Sequence, residues 1–385
     1  METMEPVELL HPGAFIEEEL EERGWSQQDL ADILKRPARL VSELVNGKRA
    51  ITVETARGLA RAFDTSVELW LNLQRDYEVA RSRPREPEEK AEEIAVARRA
   101  RLFGLLPIRD MTRRGWIAEA KDVAALEAEV CKFANCNDLA ELEGCLPHAA
   151  RKSGDASLSP LQRAWLLRAR QLANVPVACK FTTKAFPSIY EQLKPLLSAA
   201  PEVRHVPRVL SQFGIRMVVV EPIPGAKMDG ACFWLDARSP VIVLSLRFDR
   251  LDSFWFTLRH ELDHVEHGEG KEGYIVDEDT GPGSKDQEHR DSPEEQRANR
   301  NAGAFLVPPA ELDGFIARVQ PYFSEERVVG FARRIGVHPG LIVGQLHNRG
   351  VLPPSHLRKS LEKVRSVIAG AAVCDGWGVS PQISG

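Results

Sequence analysis

The chain contains no Cys-x-x-Cys pair: its six cysteines, Cys131, Cys136, Cys145, Cys179, Cys232 and Cys374, are scattered. That argues against a thiolate zinc site and against a disulfide framework, and they read as buried free thiols. Nowhere do eighteen apolar residues follow one another, so no membrane-spanning helix and no membrane partner is expected. The opening METMEPVELL is acidic, with no basic segment leading into an apolar run; it gives no sign of a secretory leader, and a cytoplasmic location is expected. Positive charge is also in short supply. The formal net charge is -5, so contact with nucleic acid has to come from a local basic patch.

What is present suits an ordinary soluble protein of two or three domains: 385 residues, 43% hydrophobic and 28% charged. Short amphipathic helices are expected over 11–80, and RSRPREPEEKAEE (81–93) reads as a solvated connection. From 94 to 212 the apolar period is helical, as in DVAALEAEVCKF and LQRAWLLRARQLA, and no chemical motif stands out. The period changes at 215, where IRMVVVE, ACFWLD and PVIVLS predict short strands, the last two joined as a hairpin. The stretch 268–293 has few apolar residues and predicts a surface loop or lid. The fold class is therefore mainly α with a small β-sheet (α+β), ending in a loose tail.

After that sheet comes FTLRHELDHVEHGEG. Residues four apart on a helix lie about 40° apart around the axis and roughly 6 Å apart along it, so His260 and His264 can bring two imidazoles to one ion. Glu261 then lies to the side, where its carboxylate can take a proton from water. Leu251, Trp255, Leu258, Leu262 and Val265 form an apolar stripe, with the histidines on its far side; the competing reading is a solvated polar face. His267 is expected at the helix end, against terminal carbonyls. A third ligand should come from another element. In DSPEEQRANRNAGAFLVPP, Glu295 heads a ridge with Ala298 and Ala302 on which a second helix could approach closely. Ser292 and Glu295 also fit a capping box, and Glu294 or the acids of the loop are the alternatives to Glu295 as ligand.

HELDH followed by EQRANRNAGAFLVP resembles the ImmA/IrrE metallopeptidases, and the resemblance covers about 205–357. It implies a gluzincin-like domain in which His260, His264 and Glu295 hold Zn²⁺ and Glu261 is the catalytic acid/base of peptide hydrolysis. The implied substrate is a regulatory protein, such as a repressor, cleaved in a stress or phage-related response. Two positions depart from the family pattern: Asp263 replaces a glycine, which would place a side chain beside the metal, and Asn301 replaces an aromatic residue. Arg259 and Asp263 are expected to form a surface ion pair. An extended peptide could pair with the strand near Ala231 to Leu235.

At the other end, Ser26 predicts a helix cap with Asp29 three residues on, KRP breaks that helix, and Pro37 starts a second one, the timing of a helix-turn-helix. Residues 35–49 carry five basic residues against Glu43, a balance of +4, while 1–80 as a whole is at -7. Gln27, Gln28, Arg39, Ser42 and Asn46 are the polar candidates for DNA contact, and Leu40, Val41, Leu44 and Val45 are expected in the core. The competing reading is a small helical bundle for dimerisation. HPGAFIEEELEERGWSQQDLADIL, LVSELVNGKRAIT and DTSVELWLNLQRDYE resemble the HigA-type antitoxins of the Xre helix-turn-helix class over about 11–80. That resemblance implies operator binding to double-stranded DNA as a homodimer, with Arg39 and Ser42 toward bases and Gln27, Lys48 and Arg49 toward phosphate. It also brings in a possible toxin partner.

The expected organisation is a helix-turn-helix domain over 1–80, a helical middle region over 81–204, the metallopeptidase-like domain over 205–360 and a flexible tail over 361–385. The function expected is a DNA-binding transcriptional regulator carrying a zinc endopeptidase. The alternative is a HigA-like autorepressor whose zinc domain is a non-hydrolytic sensor or partner-binding module.

Overall fold

The structure, a computed structural model, describes residues 10–81, 87–138, 140–145, 147, 149–152, 158–278 and 292–379. The chain divides into two compact units, Met1–Val96 and Ala97–Gly385. The first holds α1 (Pro12–Arg23), α2 (Gln27–Leu34), α3 (Ala38–Val45), α4 (Val53–Phe63) and α5 (Val67–Arg81). Later come α6 (Pro87–Leu105), α7 (Ile108–Arg113), α8 (Val123–Ala134), α9 (Leu142–Cys145), β1 (Ala149–Lys152), α10 (Pro160–Leu172), α11 (Phe186–Leu193) and α12 (Val206–Gln212). They lead to β2 (Arg216–Val220), β3 (Met228–Trp234), β4 (Pro240–Leu244), α13 (Leu251–Glu266), β5 (Tyr274–Glu278) and α14 (Pro293–Leu306). The chain closes with α15 (Pro309–Val319), α16 (Glu325–Ile335), α17 (Pro339–Asn348), α18 (Arg365–Ala369) and β6 (Val373–Asp375). No helix among the described residues is long and apolar enough to cross a membrane.

In the first unit, Ser26 and Asp29 form the reciprocal cap expected: the Asp29 N–H donates to Ser26 Oγ at 3.2 Å and the Ser26 N–H to Asp29 Oδ2 at 2.7 Å. Lys35 ends α2 in the left-handed conformation, with φ 51°, and Pro37 precedes α3 with no side-chain cap. Val41 and Leu44 enter a core with Ile16, Leu30, Leu59 and Trp70, and Leu40 and Val45 pack at its edge. Gly13 lets α1 meet the end of α3, because a Cβ there would fall 2.3 Å from the Val45 carbonyl oxygen. This contact helps fix the angle at which α3 is presented.

The second unit is built on one mixed sheet, ordered β1-β5-β3-β4-β2-β6. β3 pairs antiparallel with β4 and β5, while β2 runs parallel to β4 and β6, and β1 parallel to β5. Successive strand side chains point to opposite faces. Met217, Val219, Cys232, Ile242 and Leu244 therefore join a core with α11–α13 and α15–α17, while Val218, Val220, Ala231, Phe233 and Val243 join a separate core with α8 and α10. Burial on both faces explains why these strands read as continuous apolar runs. The helices before the sheet supply layers on both of its sides.

Three expectations are corrected here. β3 lies between β5 and β4, so within the stretch Ala231 to Leu235 expected to take a peptide, Ala231 and Cys232 are already paired on both sides. The tail expected to be loose from 361 includes α18 and the edge strand β6, whose Val373 and Cys374 pair with Val218 and Val219. Asp375 then accepts the Trp116 indole N–H at 3.0 Å and pairs with Arg168. The stretch 268–293 is not a surface loop throughout, since Tyr274–Glu278 form β5 between β1 and β3 with Tyr274, Ile275 and Val276 buried; residues 279–291 lie outside the described residues.

Candidate metal centre and nucleic-acid interface

The apolar stripe of α13 packs as its spacing predicts, with Leu251, Trp255, Leu258, Leu262 and Val265 at no exposure. The opposite side is not solvated, however: His260 is 0% and His264 1% exposed. α14 covers it, and Ala298 and Ala302, both fully buried, are the small residues that let the two helices close together. Ser292 caps α14 by accepting the Glu295 N–H at 3.3 Å. The Glu295 side chain does not return to the cap. It turns to the histidines, with Oε2 3.1 Å from His260 Nε2 and Oε1 3.5 Å from His264 Nε2.

The two Nε2 atoms lie 2.9 Å apart. Their other ring nitrogens are engaged, His260 Nδ1 with Asn299 Oδ1 at 3.0 Å and His264 Nδ1 with Glu269 Oε2 at 2.5 Å. Burial pushes the Glu269 carboxyl up, but its bonds to His264 and Arg297 outweigh that and hold it below the usual range. As a carboxylate Glu269 can only accept, so His264 Nδ1 carries the proton and the Nε2 lone pair faces inward. Glu295 turns both carboxylate oxygens toward the same two Nε2 atoms. His260, His264 and Glu295 thus offer three electron-pair donors, all within 4.8 Å of one another, to a single point. That donor set fits a divalent metal ion with room for a further ligand.

Glu261 is fully buried on the same helix. Gly230 of β3 makes its space, since a Cβ at 230 would fall 2.3 Å from Glu261 Oε1. His267 stands outside the group, with Nδ1 2.8 Å from the Asp263 carbonyl oxygen, the helix-end role expected. The pair of Arg259 and Asp263 forms at 3.2 Å but is buried, not a surface pair, because α14 lies over it. The Asp263 side chain does not enter the site either. Asn301 Nδ2 donates to its Oδ1 at 2.7 Å and Arg297 Nε to its Oδ2 at 2.7 Å. The two departures from the family pattern are partners of one another.

Sequence reasoning missed Gly230, Glu269, Arg297 and Asn299. Of these only Asn299 carried a usable signal, lying four residues after Glu295 and so on the same helical face. Glu269 follows the end of α13, where no helical period points to it.

In the first unit Gln28, Arg39, Asn46, Lys48 and Arg49 are exposed, and Gln27 and Ser42 are half-buried. The Arg39 side chain is 89% exposed, and Arg39 and Arg49 both reach Glu43, at 2.9 and 3.2 Å. Their hydrogen bonds hold the Glu43 carboxyl below its ordinary value. Asn46 Nδ2 donates to the Ser42 carbonyl at 2.7 Å, and Gln28 Nε2 to Asp32 at 3.1 Å. One exposed edge therefore gathers the basic residues on and after α3.

Residues 16–70 match the family described as Helix-turn-helix, and residues 211–346 match that described as IrrE N-terminal-like domain. A HTH-type transcriptional regulator of Haemophilus influenzae is 44% identical over 63 residues, 16% of this chain and 59% of that protein. YbaQ of Escherichia coli is 48% identical over 46 residues, 12% and 41% respectively, so the chain spans only about half the length of these curated relatives. YddM of Escherichia coli, also described as a HTH-type transcriptional regulator, is 32% identical over 88 residues, 23% of this chain and 87% of that protein. Among solved structures, the Pseudomonas aeruginosa antitoxin HigA with the higBA promoter is 39% identical, covering 19% of this chain and 80% of that chain with a TM-score of 0.19. The chain belongs to the helix-turn-helix transcriptional regulators through its first unit, and its second unit carries an IrrE N-terminal-like domain.

Proposed function

We propose that the protein is a transcriptional regulator that binds operator DNA through α3 and carries a zinc-dependent endopeptidase acting on a regulatory protein. The observation that carries the peptidase half is the meeting of His260 Nε2, His264 Nε2 and the Glu295 carboxylate beside buried Glu261. Zinc is the ion such a nitrogen and oxygen set takes in four-coordinate sites. When bound, it would make water more acidic and polarise a peptide carbonyl. His260 and His264 hold their ligand nitrogens in place through Asn299 and Glu269. Glu261 would receive the proton of the attacking water on its carboxylate and deliver it to the leaving amine nitrogen. A small open cleft of about 40 Å³, lined by Phe248, Phe256, Thr257 and Leu341 among others, lies one helical turn before the histidines.

For the DNA half, the support is the Helix-turn-helix match together with the exposed basic edge at Arg39, Lys48 and Arg49. The test of the enzyme uses the full chain and its Glu261→Gln variant, with metal content and cleavage of a peptide library measured on both. One equivalent of zinc in each, with cleavage lowered at least about 100-fold in the variant, is the expected result. Wild-type protein without stoichiometric metal, or a variant that cleaves at the wild-type rate, overturns the reading.

A further inference from the structure

Asp263 has no exposed surface, yet it is the most heavily bonded acid of α13. Arg259 Nη1 reaches Oδ1 at 3.2 Å, Asn301 Nδ2 the same oxygen at 2.7 Å, and Arg297 Nε reaches Oδ2 at 2.7 Å. The other arm of the Arg297 fork, Nη2, donates to Glu269 Oε1 at 3.0 Å. Glu269 Oε2 in turn accepts from His264 Nδ1. A continuous path therefore runs from Asp263 through Arg297 and Glu269 to a histidine of the metal group.

The helices explain how it is assembled. Arg259 and Asp263 are one turn apart on α13, and Arg297 and Asn301 one turn apart on α14. Glu269 belongs to neither helix. It sits in the turn after α13, where a long side chain has several rotamers open to it unless something fixes it. A planar guanidinium held at one edge by a buried carboxylate presents its other edge in a set direction, which a lysine could not do. Asp263 and Glu269 with Arg259 and Arg297 also pair two negative with two positive charges, so these four residues balance with the aspartate present and would be left with an excess positive charge without it.

We infer that Asp263 and Arg297 are positioning residues for the metal centre: they hold Glu269 as the acceptor of His264 Nδ1 and so aim His264 Nε2 at the ion. The inference rests on the metal reading of His260, His264 and Glu295. It gives the aspartate in place of glycine a task in metal loading.

The test titrates the intact chain with Zn²⁺ against a chromophoric chelator and records the visible spectrum of the Co²⁺ form. Arg297→Ala and Glu269→Ala should each weaken zinc binding by about 10- to 100-fold. The double variant should be within about twofold of Glu269→Ala alone, because Arg297 acts through Glu269. The Co²⁺ band should shift in both single variants. Should Arg297→Ala fail to fold, Arg297→Lys, which can keep the contact with Asp263 but lacks the fork, should give the same loss of affinity. Zinc affinity within threefold of wild type in the Arg297 variants, or losses that multiply in the double variant, overturns the inference. A His264→Ala chain that binds zinc as wild type does would instead overturn the metal reading beneath it.

Discussion

At the scale of single residues, a missing methyl group on β3 makes room for the proposed acid/base. A Cβ on Gly230 would lie 2.3 Å from Glu261 Oε1 and 2.7 Å from Thr257 Cγ2, closer than atoms pack, and the strand is pinned on both sides by β4 and β5. Gly230→Ala should therefore cost about 1–3 kcal/mol of stability by overpacking and push Glu261 aside. Thermal unfolding, zinc content and peptide turnover, measured together, should show a lower midpoint, unchanged zinc and turnover reduced at least tenfold; unchanged turnover would contradict the placement of Glu261. Asp263 makes a different prediction, one of pH. Burial pushes its carboxyl up, but the bonds from Asn301, Arg297 and Arg259 outweigh this and hold it below the usual range. A folded pKa below the unfolded value of about 3.9 means a contribution that is fully present above that value and lost as pH falls through the folded one. Asp263→Asn, which leaves the buried Arg259 and the half-buried Arg297 guanidinium groups facing a neutral amide, should cost about 3 kcal/mol near neutral pH. Denaturant titrations should show the gap to wild type constant from about pH 5 to 7 and closing below about pH 4; a gap that persists undiminished at pH 3 would contradict it.

At the scale of elements, the proposed DNA interface at α3 would set protein and nucleic acid in contest for the same two arginines. Glu43 holds both Arg39 and Arg49, but solvent-screened ion pairs add little net stability, so phosphate would displace the acid at small cost. Arg39→Ala should weaken promoter binding and lower the slope of log affinity against log salt by about one. Glu43→Gln should do the opposite and tighten binding at low salt, and weaker binding in that variant would remove Arg39 and Arg49 from the proposed contact surface. How much of these elements could be read in the sequence depended on whether an element's own residues or its neighbours hold it. α2, α13 and α14 announced themselves through caps, helical spacing and the small residues Ala298 and Ala302. β2, β3 and β4 did so through apolar runs that came within a few residues of the observed strands. β1, β5 and β6 did not, because AARK, YIVDE and VCD are too short or too polar to signal a strand and are held by pairing with a neighbour distant in sequence. The site followed the same division. Its ligand candidates stood at helical spacing or beside a cap, while Glu269 and Gly230 depend on a turn and on strand-to-helix packing that no local period encodes.

At the scale of the whole molecule, the two units have separate cores. The core of the first, from Ile16 to Trp70, shares no residue with the two that flank the sheet. The proposed metal group lies entirely within the second unit, and the exposed basic edge entirely within the first. Ligands that bind only folded protein raise stability by mass action, by about 4 kcal/mol at a thousandfold excess over Kd, and they do so for the cooperative unit that contains their site. Calorimetry of the full chain should therefore resolve two transitions. Stripping metal with a chelator should lower the one assigned to 97–385 and leave the other in place, and adding promoter DNA should raise only the other. Tryptophan separates them optically, since Trp25 and Trp70 report the first unit, and Trp116, Trp165, Trp234, Trp255 and Trp377 the second. Phe substitutions at the first two would leave a signal from the second unit alone, and that signal should follow chelator and ignore DNA. A single transition that moves with both ligands would show instead that the units unfold as one, and that loss of metal is felt at α3.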